Sequence, residues 1–283
     1  MARAIERIER DILALEEAIR AIAQELQSTY SGYFTVLGQA LRQQLILATY
    51  HLCTQGYPES FLSLSLNQRQ KLQQDIRKLG NLGAEQLLNC MNANEAVMNW
   101  GDREDEGDKG DEEINSSIPP SPPLPLSPSS SIDLSNPIEL VKWQQNLEEV
   151  MQQTLSTVSR DANVLLKKSG ILPKKLPEPI LEAVAAASEA SGEVMPGPPN
   201  LLSLVVQIDR EDDSEDSSLT EITTINLRLG EIEFADLNVS AGRKQIRYFL
   251  TQLNKLGREY TKKLQERSVA EAEAAWRASW YEN

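Results

Sequence analysis

The side chains most able to do covalent chemistry are few. His51 is the only histidine, and it precedes Cys53 by two residues in "HLC"; Cys90 is the only other cysteine. A Cys–His pair works as nucleophile and base only within hydrogen-bond reach, and two residues apart on a helix they face different ways. An ordinary helical histidine and a buried thiol are therefore expected. Zinc sites built on Cys and His want four ligands, and three such residues fall short. "DREDDSEDSSLTE", from Asp209, invites comparison with a calcium loop, which needs acids at positions 1, 3 and 5, glycine at 6 and glutamate at 12. Glu211 and Asp213 fit loosely, but Ser214 stands at the glycine position and Thr220 where the bidentate glutamate belongs. A solvated acidic loop is the expectation. Gly-rich phosphate loops, Gly-x-Ser-x-Gly elbows and His-Glu-x-x-His patterns do not occur. The chain reads as a non-enzyme with no metal and no cofactor.

Binding chemistry is better represented. Between residues 243 and 267 eight basic residues face only Glu259 and Glu266, a net of +6. Arg243, Arg247, Lys255, Arg258 and Lys262 fall on roughly one side of a helix, either the solvated polar face of a buried hairpin or a stripe suited to an acidic partner, to a nucleic-acid backbone or to the protein's own acidic loop. Trp276 and Trp280 are half of the chain's 4 tryptophans. At helical spacing they share one face, and they either fold back on the body or anchor a partner's groove.

The rest of the charge pulls the other way. Net charge is −14 over 283 residues, which disfavours nucleic-acid or anionic-membrane binding by the molecule as a whole. Asp102 to Glu113 carries a net of −6 and Asp209 to Asp216 a net of −5, so the acidity sits in two short segments. Two cysteines give no disulfide framework, and no stretch approaches the roughly 18 uncharged apolar residues of a membrane span. The N-terminus also lacks the continuous apolar core of a secretory signal. A cytoplasmic protein without a membrane span is expected.

The elements that position these residues are predicted to be helices. Ile5, Ile8, Ile12, Leu15, Ile19, Ile22 and Leu26 alternate steps of three and four, a coiled-coil-like seam fit for self-association or for pairing with another helix. The pattern continues through Tyr30, Tyr33, Leu37, Leu41, Leu45, Ala48 and Leu52, one long helix or two in line, until Gly56 and Pro58 break it. A return helix carries Leu66, Leu72, Ile76, Leu79, Leu82, Leu87 and Leu88, with an interruption expected near Gly80 and Gly83. From Gly101 an acidic run gives way to "SSIPPSPPLPLSPSSS", with six of the 14 prolines, too apolar-poor to offset its ordering entropy. Asn136 as N-cap and Pro137 at the first helical position then start a helix to about Lys168, and Gly170 suits its left-handed end with Ile171 packing back. "SGILPKKLPEP" reads as an ordered corner leading to a helix over 179–190, with Pro177 or Pro179 in its first turn. Leu201–Ile208 fits helix or strand. Leu219, Ile222, Ile225, Leu229 and Ile232 predict a helix, a break falls near "ADLNVSAG", and Ile246, Phe249, Leu253, Leu256, Tyr260 and Leu264 mark the last one. Ser268 and Glu271 have capping-box spacing, so a fresh helix is expected there at a bend.

The predicted fold class is all-α: an N-terminal helical hairpin or bundle over 1–100, a disordered acidic and proline-rich linker over 101–136, and a C-terminal helical domain over 137–283 with an acidic loop at 209–218. "SRDANVLLKKSGILPKKLPEPILEAVAAASEASGEVMPGPPNLLSL" and "LGREYTKKLQERSVAEAEAAWRASWYEN" resemble a family of conserved cyanobacterial helical proteins without an assigned function, over about 136–283. The resemblance implies a cyanobacterial cytoplasmic protein and one unit over 137–283, but no ligand or site residue. The expected function is a scaffold or adaptor that self-associates or pairs through the Ile5–Leu26 seam and docks protein partners with its C-terminal half. The alternative is a nucleic-acid-associated regulator using the basic stripe.

Overall fold

A computed structural model describes residues 2–99, 133–173, 198–208 and 218–280. The expected linker interior, the helix over 179–190 with Leu176, Pro177 and Pro179, and the acidic loop at 209–217 lie outside the described residues. The described residues are predominantly helical, with one small sheet. Helix α1 spans Ala2–His51 and ends in a π-helical turn, Leu52–Gly56. Short α2 (Pro58–Ser63), α3 (Leu66–Asn99) and α4 (Pro137–Lys168) follow. Strands β1 (Leu201–Ile208) and β2 (Ser218–Ile225) form an antiparallel hairpin, with Leu201 opposite Ile225 and Ile208 opposite Ser218. Helices α5 (Leu229–Ala235) and α6 (Leu237–Trp280) complete the order.

Several boundaries are set by the residues expected to set them. The Asn136 side chain accepts a hydrogen bond from the Ile138 N–H at 3.0 Å, capping α4 ahead of Pro137. At the other end Gly170 adopts φ +82°. The Gly170 N–H donates to Lys167 O at 3.1 Å and the Ile171 N–H to Leu166 O at 3.0 Å, which together make a Schellman motif. Ile171 and Leu172 are buried beyond it, so the corner is ordered as far as the described residues run. Asp236 separates α5 from α6 and caps the latter, accepting from the Asn238 N–H at 2.8 Å.

Three expectations are corrected. Residues 219–232 are not one helix: strand β2 ends at Ile225 and α5 starts at Leu229. The stretch "TEITTI" is rich in β-branched residues, which are stiff in a helix and pack well on a pleated surface, and the apolar run 201–208 supplies a partner strand. Helix α3 is not interrupted at Gly80 and Gly83. A Cβ at Gly83 would stand 2.7 Å from Val158 Cγ2, and one at Gly38 3.0 Å from Ala84 Cβ, so these glycines permit close helix packing rather than breaking a helix. Helix α6 runs through Ser268 without a new start; the Ser268 hydroxyl donates back to Leu264 O at 3.1 Å instead of capping.

The chain divides into two compact units. One comprises residues 1–27, 92–144 and 250–283, the other 28–91 and 145–249. In the first, Ile12, Ile19, Leu26, Leu140, Trp143 and Leu253 are buried. In the second the core holds Tyr30, Phe34, Leu37, Leu41, Leu45, Leu87, Leu147, Met151, Ile232 and Ile246. There the hairpin is held by side chains acting where further strands would. Asn163 donates to Ile225 O at 2.8 Å and accepts from the Ile225 N–H at 2.9 Å. The Tyr57 hydroxyl accepts from the Thr223 N–H at 3.0 Å and donates to Thr223 O at 3.3 Å. Asn200, fully buried at φ 61°, accepts from the Arg228 N–H and donates to Gln44, both at 3.0 Å.

Gly83→Ala is expected to destabilise the protein by about 1–3 kcal/mol despite its better helix propensity, because the methyl of buried Val158 is on a stiff β-branched side chain. Gly32→Ala, with nothing within 4 Å of its Cβ, should instead stabilise by about 0.5–1 kcal/mol. Urea denaturation of both variants checks the pair.

Candidate functional site

Helix α4 begins at Pro137, and α6 passes close to it at Gly257. A Cβ there would lie 3.2 Å from Pro137 Cβ, so the approach depends on a residue without a side chain. Beside this crossing, within the first unit, lies a groove of about 620 Å³. Its apolar lining includes Ile138, Val141 and Leu253, of which Ile138 is 64% exposed. Three cations share the lining, Lys142, Arg258 and Lys262, and among the described residues no carboxylate does. The next residue on α6, Lys263, is engaged elsewhere, with Asp11 at 3.1 Å and Glu266 at 2.9 Å. One face of the helix thus closes on α1 while its neighbour leaves cations open to a ligand. Such a surface suits a partner combining negative charge with an apolar side chain.

The expected basic stripe is only partly a surface. Arg247, Lys255, Arg258 and Lys262 are exposed, but Arg243 is 8% exposed and belongs to the core of the second unit. Its Nε donates to Glu233 at 2.5 Å, its Nη1 pairs with Glu148, and its Nη2 donates to the Tyr33 hydroxyl at 2.9 Å. The guanidinium also lies over the Tyr33 ring, 4.7 Å from its centroid. Tyr33 donates to Glu233 at 2.7 Å and Tyr30 to Glu148 at 2.9 Å. Burial opposes the charge on Arg243, yet the hydrogen bond to Glu148 and the fields of Tyr33 and Glu148 hold it above the ordinary guanidinium range. Burial, only partly countered by Arg243, keeps the Tyr33 phenol protonated well above its usual range. Donors and acceptors in this knot are engaged with one another, which suits holding helices in place.

The Ile5–Leu26 seam is also partly an internal feature. Ile12, Ile19 and Leu26 are buried within the chain, while Ile5, Ile8, Leu15 and Ile22 are half-buried. The buried three offer no face to a second copy. Trp276 and Trp280 do not fold back on the body. They stack on each other, ring centroids 6.0 Å apart at 25°, and are 67% and 73% exposed.

His51 stands against Tyr50, and its Nδ1 is buried with no hydrogen-bond partner among the described residues. Cys53 is buried, and burial pushes its thiol up to about 11. Among the described residues, no group of three or more His, Cys, Asp or Glu is placed to hold a metal ion, and no helix is long and apolar enough to cross a membrane. Sequence reasoning missed Ile138 and Lys142, which four-residue spacing puts on one face at the start of α4. No family profile, curated protein or solved structure compared with the chain matches it.

Arg243→Met should cost about 3–5 kcal/mol, since it leaves Glu148 and Glu233 part-buried without their cation; a thermal or urea melt measures the loss. Cys53 should resist iodoacetamide at neutral pH in the native protein and react after denaturation. Folding favours its protonated thiol, so this contribution to stability is present below the ordinary value of 9.0 and is lost as pH rises toward about 11. Comparing the urea midpoints of the parent and Cys53→Ala across that range checks the sign.

Proposed function

We propose that the protein is a non-enzymatic helical adaptor that binds an acidic segment of a partner protein in the groove between the start of α4 and α6. The observation that carries this reading is the groove's lining: exposed Ile138 beside Lys142, Arg258 and Lys262, with no carboxylate among the described residues that line it. Charges at such a rim speed encounter and select the partner, while the apolar floor contributes the burial. The stacked Trp276 and Trp280 extend the contact chemistry with a rigid aromatic end. Self-association through the Ile5–Leu26 seam is a weaker reading, because its central members are already covered.

Nucleic-acid binding is the second reading, supported by the exposure of Arg247, Lys255, Arg258 and Lys262. One feature favours a peptide instead: the groove mixes apolar side chains with its cations.

Fluorescence anisotropy with a labelled peptide of Asp, Glu and Leu decides between them. Saturable binding at low salt is expected, weakened about tenfold or more by the double variant Arg258→Glu and Lys262→Glu, as the loss of two charge-assisted contacts requires. A peptide of Lys and Leu should not bind. Binding of duplex DNA with steep salt dependence, in place of the acidic peptide, assigns the stripe to nucleic acid; binding of neither rejects both.

A further inference from the structure

The second unit contains a separate pocket, built where α1 gives way to the π-helical turn. The turn is closed by the Tyr57 N–H donating to Leu52 O at 2.8 Å, and it carries Cys53 and Thr54 onto one wall. Leu72 and Ile76 of α3 form the facing wall, and Phe61 of α2 closes the end. The enclosed space is about 330 Å³. That is within the range of natural ligand sites and about twice the volume of an engineered apolar cavity that stays dry and takes up benzene.

The lining is mainly apolar, with Gln73 as its one side-chain amide. The Thr49 hydroxyl donates to Leu45 O and the Thr54 hydroxyl to Tyr50 O, each at 2.7 Å, so both protons are already engaged inside the helix. Burial keeps the Cys53 thiol neutral. At the mouth the apolar surface continues outward: Ile46 is 46% exposed and Tyr50 58%. The one cation in the lining is Arg77, exposed and without a hydrogen bond or ion pair among the described residues. Arg69, nearby in sequence, is fully engaged: it stacks over Phe61 at 5.3 Å and donates to Phe61 O and Leu62 O. The pocket therefore joins an apolar interior to a single open guanidinium at its rim.

We infer that this pocket binds a small amphiphile, an aliphatic chain ending in a carboxylate, with the chain inside the pocket and the carboxylate paired to Arg77. A guanidinium matches a carboxylate in geometry as well as charge, and the apolar walls reward each buried methylene. This site does not depend on the groove on the first unit, and either can fail alone.

Calorimetric titration of the full chain with hexanoate, octanoate, decanoate and dodecanoate, each below its micelle concentration, tests the assignment. Affinity should rise about fourfold per methylene until the pocket is full, then level off. Arg77→Gln should weaken every member about tenfold while leaving the step per methylene unchanged. Thr54→Trp, an exposed position on the wall, should abolish binding by occupying the space. Ile46→Asp, placing a like charge in the mouth, should weaken it independently. Circular dichroism melts confirm that each variant is folded. Absence of saturable binding by the parent chain overturns the inference. So does affinity that ignores chain length, or binding unchanged in folded Thr54→Trp or Ile46→Asp.

Discussion

A guanidinium removed from water must find acceptors at every donor, and in the second unit that requirement governs how four helices meet. Arg243 on α6 reaches Glu148 on α4, Glu233 on α5 and Tyr33 on α1. Slipping any one helix by a turn displaces its residue by about 5.4 Å, well outside hydrogen-bond range. The aliphatic seams of these helices tolerate many alternative registers, since one leucine packs against a neighbour much as another does. The charged knot does not. Gly242 tightens the arrangement further, because its missing side chain lets the Tyr33 ring come within 3.0 Å of where a Cβ would stand. Apolar burial supplies the driving force for packing, and the buried ion network sets which packing is reached.

The hairpin follows from the same core. Among the described residues its strands have only each other as ladder partners, and a two-stranded ribbon alone is marginal in water. Side-chain amides supply the missing bonds at the inner end, where Asn163 grips both polar groups of Ile225 and Asn200 links the start of β1 to Gln44 and Arg228. The bend after β2 is pinned as well, the Leu227 N–H donating to Ser159 on α4 at 2.9 Å. Irregular backbone is thus buried only where a polar side chain waits for it.

The helices were legible in the sequence because their signal is local and repeated. The three-and-four stepping from Ile5 to Leu52 needed no knowledge of neighbours, and the caps at Asn136 and Gly170 are short motifs with a direct physical meaning. What was not legible depends on distant residues. The stepping of Leu219, Ile222 and Ile225 fits a helix equally well, and only the partner strand at 201–208 decides against it. Gly80 and Gly83 look like breaks until Arg42, Leu41 and Val158 are seen pressing on them. Arg243 looks like a surface cation because its acceptors lie ten and nearly one hundred residues away. The groove combines Lys142 with Arg258 and Lys262, and no periodicity within one helix announces such a pairing.

One hydroxyl has a reach beyond its own contacts. The face of β2 turned away from β1 presents the Thr223 amide and carbonyl, and Tyr57 occupies both. An unpaired strand border of that kind is a template on which another chain can extend a ladder. Tyr57 at Thr223 and Asn163 at Ile225 together occupy the outward border of β2, where another chain would otherwise pair.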